Sequence, residues 1–308
     1  MIKISFSNEV RKEIIPSVND VDKRFACLYG MILFSRRLSP EHICFQTESR
    51  LSAELFSSLL HSVFRIDVDC EKKMHKDGAV MYSFNIGGER SGEIFRTYRL
   101  SASERAIDPE LIATSSLGVF TAGVFFACGS VNDPAKEYHL EFAVPEKTLA
   151  DDLKTLLGDI GVAAKTAIRR GQYIVYIKGS ESIEDTLTFI GAQQCTLELM
   201  NVKIYKDVRN KANRIANCDA ANIDKVVNAA MKQTDDIRYI AETEGLDNLT
   251  SELREVAEIR LENPGMSLKE IGESLSEPLS RSGVNHRFQK LSAIAARIRN
   301  ERCADESK

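Results

Sequence analysis

Two stretches decide the fold: "LYGMILFSR", Leu28–Arg36, and "TAGVFFACG", Thr121–Gly129. Both are apolar and contain small or glycine positions suited to close helix packing. In the first, Phe25, Leu28, Tyr29, Ile32 and Leu33 recur at steps of three and four, so residues 22–38 read as a helix. The segments downstream of the two stretches are also alike. After the first come an alternating segment, "HICFQTE", an amphipathic helix, "SAELFSSLLHSVF", and two strand segments, "IDVDCEKK" and "VMYSFNI", turned at Asp77-Gly78. After the second come "EYHLEFAV", then "EKTLADDLKTLLGDI" as a helix, then "GVAAKTAIRR" and "QYIVYIK" turned at Arg170-Gly171. The same order of elements thus recurs about 95 residues on, which predicts two similar αβ halves, about 22–95 and 116–190, and not a solenoid. A helical stretch is expected between them over 91–112, and Ser130–Asp133 reads as a turn.

From Asn201 the alternation stops. Residues 201–248 are polar and helical without a deep apolar stripe, as a connecting helix or helix pair would be. Residues 249–308 then divide into three helices. Leu253, Val256, Ala257 and Leu261 form a stripe ending at Asn263-Pro264-Gly265; Ser267 and Glu270 form a capping box; and a third helix from near Ser282 buries Val284, Phe288, Leu291, Ala295 and Ile298. A short helix, a brief turn and a longer basic helix are the parts of a helix-turn-helix. Away from its apolar stripe the third helix carries Ser282, Asn285, His286, Arg287, Gln289 and Lys290, residue types that hydrogen-bond base edges or phosphates. With Arg281, and with Ser267 and Lys269 on the preceding helix, they are the candidate DNA contacts.

Composition narrows the function classes. With 308 residues, 43% hydrophobic and 28% charged, the chain has material for two domains and a substantial core. No apolar run approaches the roughly 18 residues of a membrane span, and a cytoplasmic, nucleoid-associated protein is expected. The seven cysteines are scattered and never paired as C-x-x-C, so neither a disulfide framework nor a zinc site is expected, nor any cofactor. Residues 1–200 hold 23 Lys and Arg against 27 Asp and Glu, and residues 201–308 hold 18 of each. Within the latter, Arg281–Asn300 contains five Lys or Arg and no acid, which points to a polyanion partner.

The paired "LYGMILFSR" and "TAGVFFACG" resemble the LAGLIDADG helices of homing endonucleases. Together with "LREVAEIRLENPGMSLKEIGESL" and "SRSGVNHRFQKL", they make the whole chain similar to the WhiA family of bacterial transcriptional regulators. The resemblance implies an α+β architecture: a duplicated, degenerate LAGLIDADG-like αβ domain (1–200), a helical linker (201–248), and an all-α helix-turn-helix domain like region four of sigma factors (249–308). It also implies double-stranded DNA as partner, roles in cell division, chromosome segregation or sporulation, and contact with a protein partner through the first domain. In the endonucleases the last acid of each motif holds catalytic metal ions. Those positions here are Ser35 and Cys128, which lack the anionic oxygen magnesium requires. Asp133 lies nearby in the second half, but Arg36 and Arg37 come directly after Ser35 in the first. No catalytic residue, no metal and no enzymatic activity are therefore expected. A saddle of strands could still touch DNA if Lys72, Lys73, Lys76, Arg169, Arg170 and Lys178 shared one face. Two other readings stay open: a metal-dependent endonuclease, revealed by magnesium-dependent nicking, and a protein-interaction adaptor, revealed by no DNA affinity at low salt.

Overall fold

The chain runs through helix α1 (Phe6–Ile14) into α2 (Val21–Leu33), where Asp20 caps the new helix by accepting the Lys23 N–H at 2.8 Å. The structure, a computed structural model, describes residues 5–75 and 78–305. Helix α2 stops earlier than its apolar pattern suggests. Phe34 leaves helical geometry, and Arg37–Leu38 form a short strand, β1, paired with β2 (His42–Thr47). Helix α3 (Arg50–Phe64) then crosses to β3 (Cys70–Met74) and β4 (Val80–Gly87). The predicted turn residue Asp77 lies outside the described residues, as does Lys76.

The second half repeats this plan. Helix α4 (Glu89–Thr97) closes the first half, and the helix expected over 91–112 ends there, because Arg99 adopts a left-handed φ of 47° and the chain continues as loop with 3-10 turns at Pro109–Leu111 and Thr114–Ser116. Helix α5 (Leu117–Cys128) leads directly into β5 (Gly129–Val131). The turn read at Ser130–Asp133 is therefore a strand in its first part, since Ser130 pairs with Glu141 and Val131 with Leu140. After β6 (Leu140–Val144), α6 (Lys147–Asp159), β7 (Lys165–Arg169) and β8 (Gln172–Ile177), helix α7 (Ser180–Phe189) completes the half. Both sheets are antiparallel, with orders β1-β2-β4-β3 and β5-β6-β8-β7, so strand order is duplicated along with element order.

Helices α2 and α5 pack against each other at the centre, and glycine makes this possible. A β-carbon on Gly30 would collide with the Phe120 carbonyl, and one on Gly123 with the Cys27 carbonyl. The two backbones touch where neither residue has a side chain. Around this seam lies one apolar core, in which Tyr29, Phe120, Phe125 and Phe126 are fully buried and Phe45 stacks on Phe56 at 4.1 Å.

The chain divides into two units after Asp207. That division falls inside a single helix, α8 (Gln193–Thr243). The second unit comprises the rest of α8, α9 (Ser251–Glu262), α10 (Leu268–Ser274) and α11 (Arg281–Asp305) around its own core. Ile237 and Ile240 of α8 are buried there, upstream of the point near Leu249 where the sequence pattern placed the start of the helical domain. Among the described residues no helix is long and apolar enough to cross a membrane.

Gly123→Val is expected to destabilise the first unit by about 3 kcal/mol or more, because the neighbour that must move is backbone. Gly158→Ala, where nothing lies within reach of an added β-carbon, is expected to leave the melting temperature within about 2 °C of the parent. Thermal melts by circular dichroism check both.

Candidate nucleic-acid interface

The second unit is built for a tight turn between two helices. Ser267 caps α10 by accepting the Glu270 N–H at 3.3 Å, while the Glu270 carboxylate accepts the Ser267 N–H at 2.8 Å. These bonds hold the Glu270 carboxyl below its usual range. After α10 the chain folds back onto Gly272, whose carbonyl accepts the Leu279 N–H and whose missing side chain leaves room for the Leu279 carbonyl. Helix α11 then buries Val284, Phe288, Leu291, Ala295 and Ile298 against α9 and α10.

The candidate contacts divide into three groups. Ser282, His286, Gln289 and Lys290 are exposed on the outer face of α11, and no ion pair holds any of them among the described residues. Arg281 and Asn285 are also exposed but line a cleft shared with α8, together with Ser267 and Lys269. Lys269 in addition reaches Glu273, one turn along α10, at 3.7 Å. Arg287 is different. Its side chain is only 13% exposed and turns toward α9, where it meets the Glu252 carboxylate at 3.5 Å and the Glu252 carbonyl at 3.4 Å. Position 287 sits at the edge of the buried stripe, so its guanidinium lies along the helix interface.

In the first unit, Ser35 and Cys128, the positions expected from sequence to replace endonuclease acids, lie beside arginines that the sequence pattern did not single out. Ser35 is buried; its hydroxyl donates to the Arg37 carbonyl, and its own carbonyl accepts Arg105 Nη1 at 2.7 Å. Arg105 is itself buried and pairs with Glu146 at 3.0 Å. In the second half, Arg11 donates to the Gly129 carbonyl at 2.6 Å, next to Cys128, and lies over the Phe125 ring at 5.1 Å. Burial lowers Arg11 to about 10, well above neutrality, so it remains a cation. Burial pushes the Cys128 thiol far up, and it donates to the Val124 carbonyl as a neutral S–H.

Each degenerate position thus offers a neutral side chain beside a guanidinium, a donor set that does not fit a divalent cation. The Asp133 carboxylate accepts the Ala135 N–H and its carbonyl accepts the Lys136 N–H, within a turn. Among the described residues no three His, Cys, Asp or Glu side chains gather as a metal-ligand group.

The cations proposed for a saddle do not all share one face. Lys72 and Lys73 are adjacent on β3 and point to opposite sides, Lys72 lying over the Tyr82 ring. Arg169 is paired with Glu141 at 3.2 Å, and Lys178 lies near the Tyr176 ring. Of the described cations in this set, Lys72, Lys73, Arg170 and Lys178 are exposed and enter no ion pair among the described residues.

Comparison with known proteins gives the same division. The WhiA LAGLIDADG-like domain model matches residues 117–209, and the WhiA C-terminal HTH domain model matches residues 212–295. The chain is 35% identical over 312 residues to a probable cell division protein WhiA of Lachnoclostridium phytofermentans, covering 96% of this chain and 100% of that one. It is 37% identical over 319 residues to the protein of the same description from Clostridium perfringens, covering 96% and 99%. Its fold resembles the crystal structure of full-length WhiA from Thermatoga maritima, with a TM-score of 0.58 at 25% identity over 96% of this chain and 99% of that one.

The buried arginines should behave as structural residues. Arg105→Met is expected to destabilise the protein by about 2–3 kcal/mol, leaving the Ser35 carbonyl and Glu146 without their cation. Arg287→Ala should cost about 1 kcal/mol, and His286→Ala and Lys290→Ala less than about 0.5 kcal/mol, all read from urea melts of the full chain.

Proposed function

The chain belongs to the WhiA family, and we propose that it is a double-stranded-DNA-binding transcriptional regulator of cell division without nuclease activity. The observation that carries this reading is the outer face of α11. Ser282, His286, Gln289 and Lys290 project from one helix with no carboxylate on it between Arg281 and Asn300, and they stand free of ion pairs among the described residues. A helix of this kind, held after a short helix by a tight turn, presents donors for base edges and cations for phosphates. Arg281 and Lys269 flank it as phosphate contacts, and Ser267 and Asn285 add polar donors beside them. The family's probable cell division relatives supply the biological setting, and a location on the nucleoid follows from the DNA-binding role.

Absence of cutting rests on Arg11 and Arg105. A cation at each helix terminus occupies the electrostatic position that two divalent ions would need. The first domain then serves as a scaffold or protein-contact module, since residues 1–200 carry more Asp and Glu than Lys and Arg.

Fluorescence anisotropy of a labelled promoter-length duplex, titrated with the intact protein across a salt series, tests the reading. Wild type is expected to bind with a steep salt dependence, and Lys290→Ala to bind more weakly with the slope of log K against log salt reduced by about 1. Gln289→Ala should lose discrimination between sequences more than overall affinity. Equal binding by all three proteins would move the contact away from α11. Ser35→Asp/Cys128→Asp, which restores both carboxylates, is expected to show no magnesium-dependent nicking; nicking by it or by wild type would overturn the non-enzymatic reading.

A further inference from the structure

Within the second unit, α8 leaves Val226, Val227 and Met231 between 49% and 60% exposed. They face the loop between α9 and α10 and the first turn of α11 across a cleft of about 930 Å³. The cleft has three features that occur together nowhere else among the described residues of the unit. Its walls are largely apolar, with Met266 and Leu268 opposite the α8 residues. Lys225, Arg238, Lys269 and Arg281 line it against one carboxylate, Asp235; of these cations, Lys225, Arg238 and Arg281 enter no ion pair among the described residues. Arg260, which also lines it, is only 2% exposed, and its Nε has no hydrogen-bond partner. Its Nη1 donates to the carbonyls of Pro264 and Met266, and its guanidinium lies over Phe288.

Apolar walls call for an apolar body, unpaired cations for an anionic group, and the volume suits a small molecule. A DNA backbone would satisfy the cations but would set phosphate against Val226, Val227 and Met231, at a desolvation cost with no return. We propose that this cleft is a binding site for a small amphipathic anion, an acyl or aryl body bearing one acidic head, and that its occupant excludes DNA. Arg281, Lys269 and Arg238 receive the head, and the α8 apolar residues cover the body. The exclusion follows from shared residues: Ser267, Lys269, Arg281 and Asn285 line the cleft and are also assigned to DNA. That coupling rests on the DNA-binding reading, whereas the site does not.

The test uses the full-length protein with anilinonaphthalene sulfonate as a fluorescent amphipathic anion, displaced by decanoate, decyl phosphate or decanol. Both anions are expected to displace the probe about tenfold more tightly than decanol, the difference made by one charge-assisted contact. Which of the two is tighter separates a carboxylate from a phosphate head. Met231→Glu, a change at an exposed position, should weaken probe binding by about tenfold or more. Ile223→Glu, equally exposed on α8 but outside the cleft, should leave it unchanged. Equal effects of the two substitutions, or equal displacement by decanol, would overturn the site. So would sedimentation showing a dimer that Met231→Glu dissociates, which would assign the cleft to a second copy of the chain. Decanoate should also raise the apparent Kd for duplex DNA in wild type and not in Met231→Glu. Probe binding with unchanged DNA affinity overturns the exclusion, while failure of wild type to bind DNA at low salt overturns the regulator reading and leaves the displacement results standing.

Discussion

The contact between the Gly30 and Gly123 backbones fixes the geometry of the whole first unit. Two helices can approach until main chains touch only where both lack side chains at the crossing, and α2 and α5 meet at such a place. Each helix begins one αβ half and feeds that half's sheet, so their separation fixes how far apart the two sheets lie. Apolar residues on either side of the crossing, among them Tyr29 and Phe120 with ring centroids 5.3 Å apart, then fill the space the glycines define.

Near the ends of the two helices lie arginines supplied by segments outside either half. Arg11, from the helix before the first half's central helix, binds the Gly129 carbonyl at the end of α5. Arg105, from the loop before α5, binds the Ser35 carbonyl beyond the end of α2. In each case a guanidinium meets a carbonyl at or just beyond the negative end of a helix dipole. The arrangement stabilises a helix terminus with positive charge, the opposite of what two divalent ions would require. The glycine seam depends on backbone sterics and does not involve the side chains of Ser35 or Cys128.

Much of this was legible in the sequence, and the parts that were not share a cause. The repeat was readable because the order of helix and strand patterns recurs, and α11 was readable because Val284, Phe288, Leu291, Ala295 and Ile298 keep helical phase. These two arginines were not, because Arg11 and its acceptor are 118 residues apart and Arg105 and its acceptor 70 apart, with no local pattern marking either. Arg287 had the right residue type for a DNA contact, but its place at the edge of the buried stripe lets Glu252 of α9 claim it. Strand alternation takes Lys72 off the face that Lys73 occupies, since adjacent lysines on β3 must point to opposite sides. Arg260 shows the converse: an arginine one place before the expected stripe residue Leu261 is the one buried, its guanidinium lying over Phe288 while its Nη1 donates to two loop carbonyls.

Helix α8 contributes to two cores along its length. Cys195 and Leu199 near its start are buried with the first unit, and Ile237 and Ile240 near its end with the second. The boundaries suggested by composition, after residue 200 and before residue 249, do not have equal consequences for dissection of the gene. A fragment ending at residue 200 keeps the α8 side chains that its core uses. A fragment starting at 249 forfeits Ile237 and Ile240, along with the Arg299 bond to Asp236 at 2.8 Å, and exposes the inner faces of α9 and α11 to water. Expression of the C-terminal half as an independent module therefore has to begin inside the helix, upstream of Asp236, and inherits a length of α8 as an integral fourth helix.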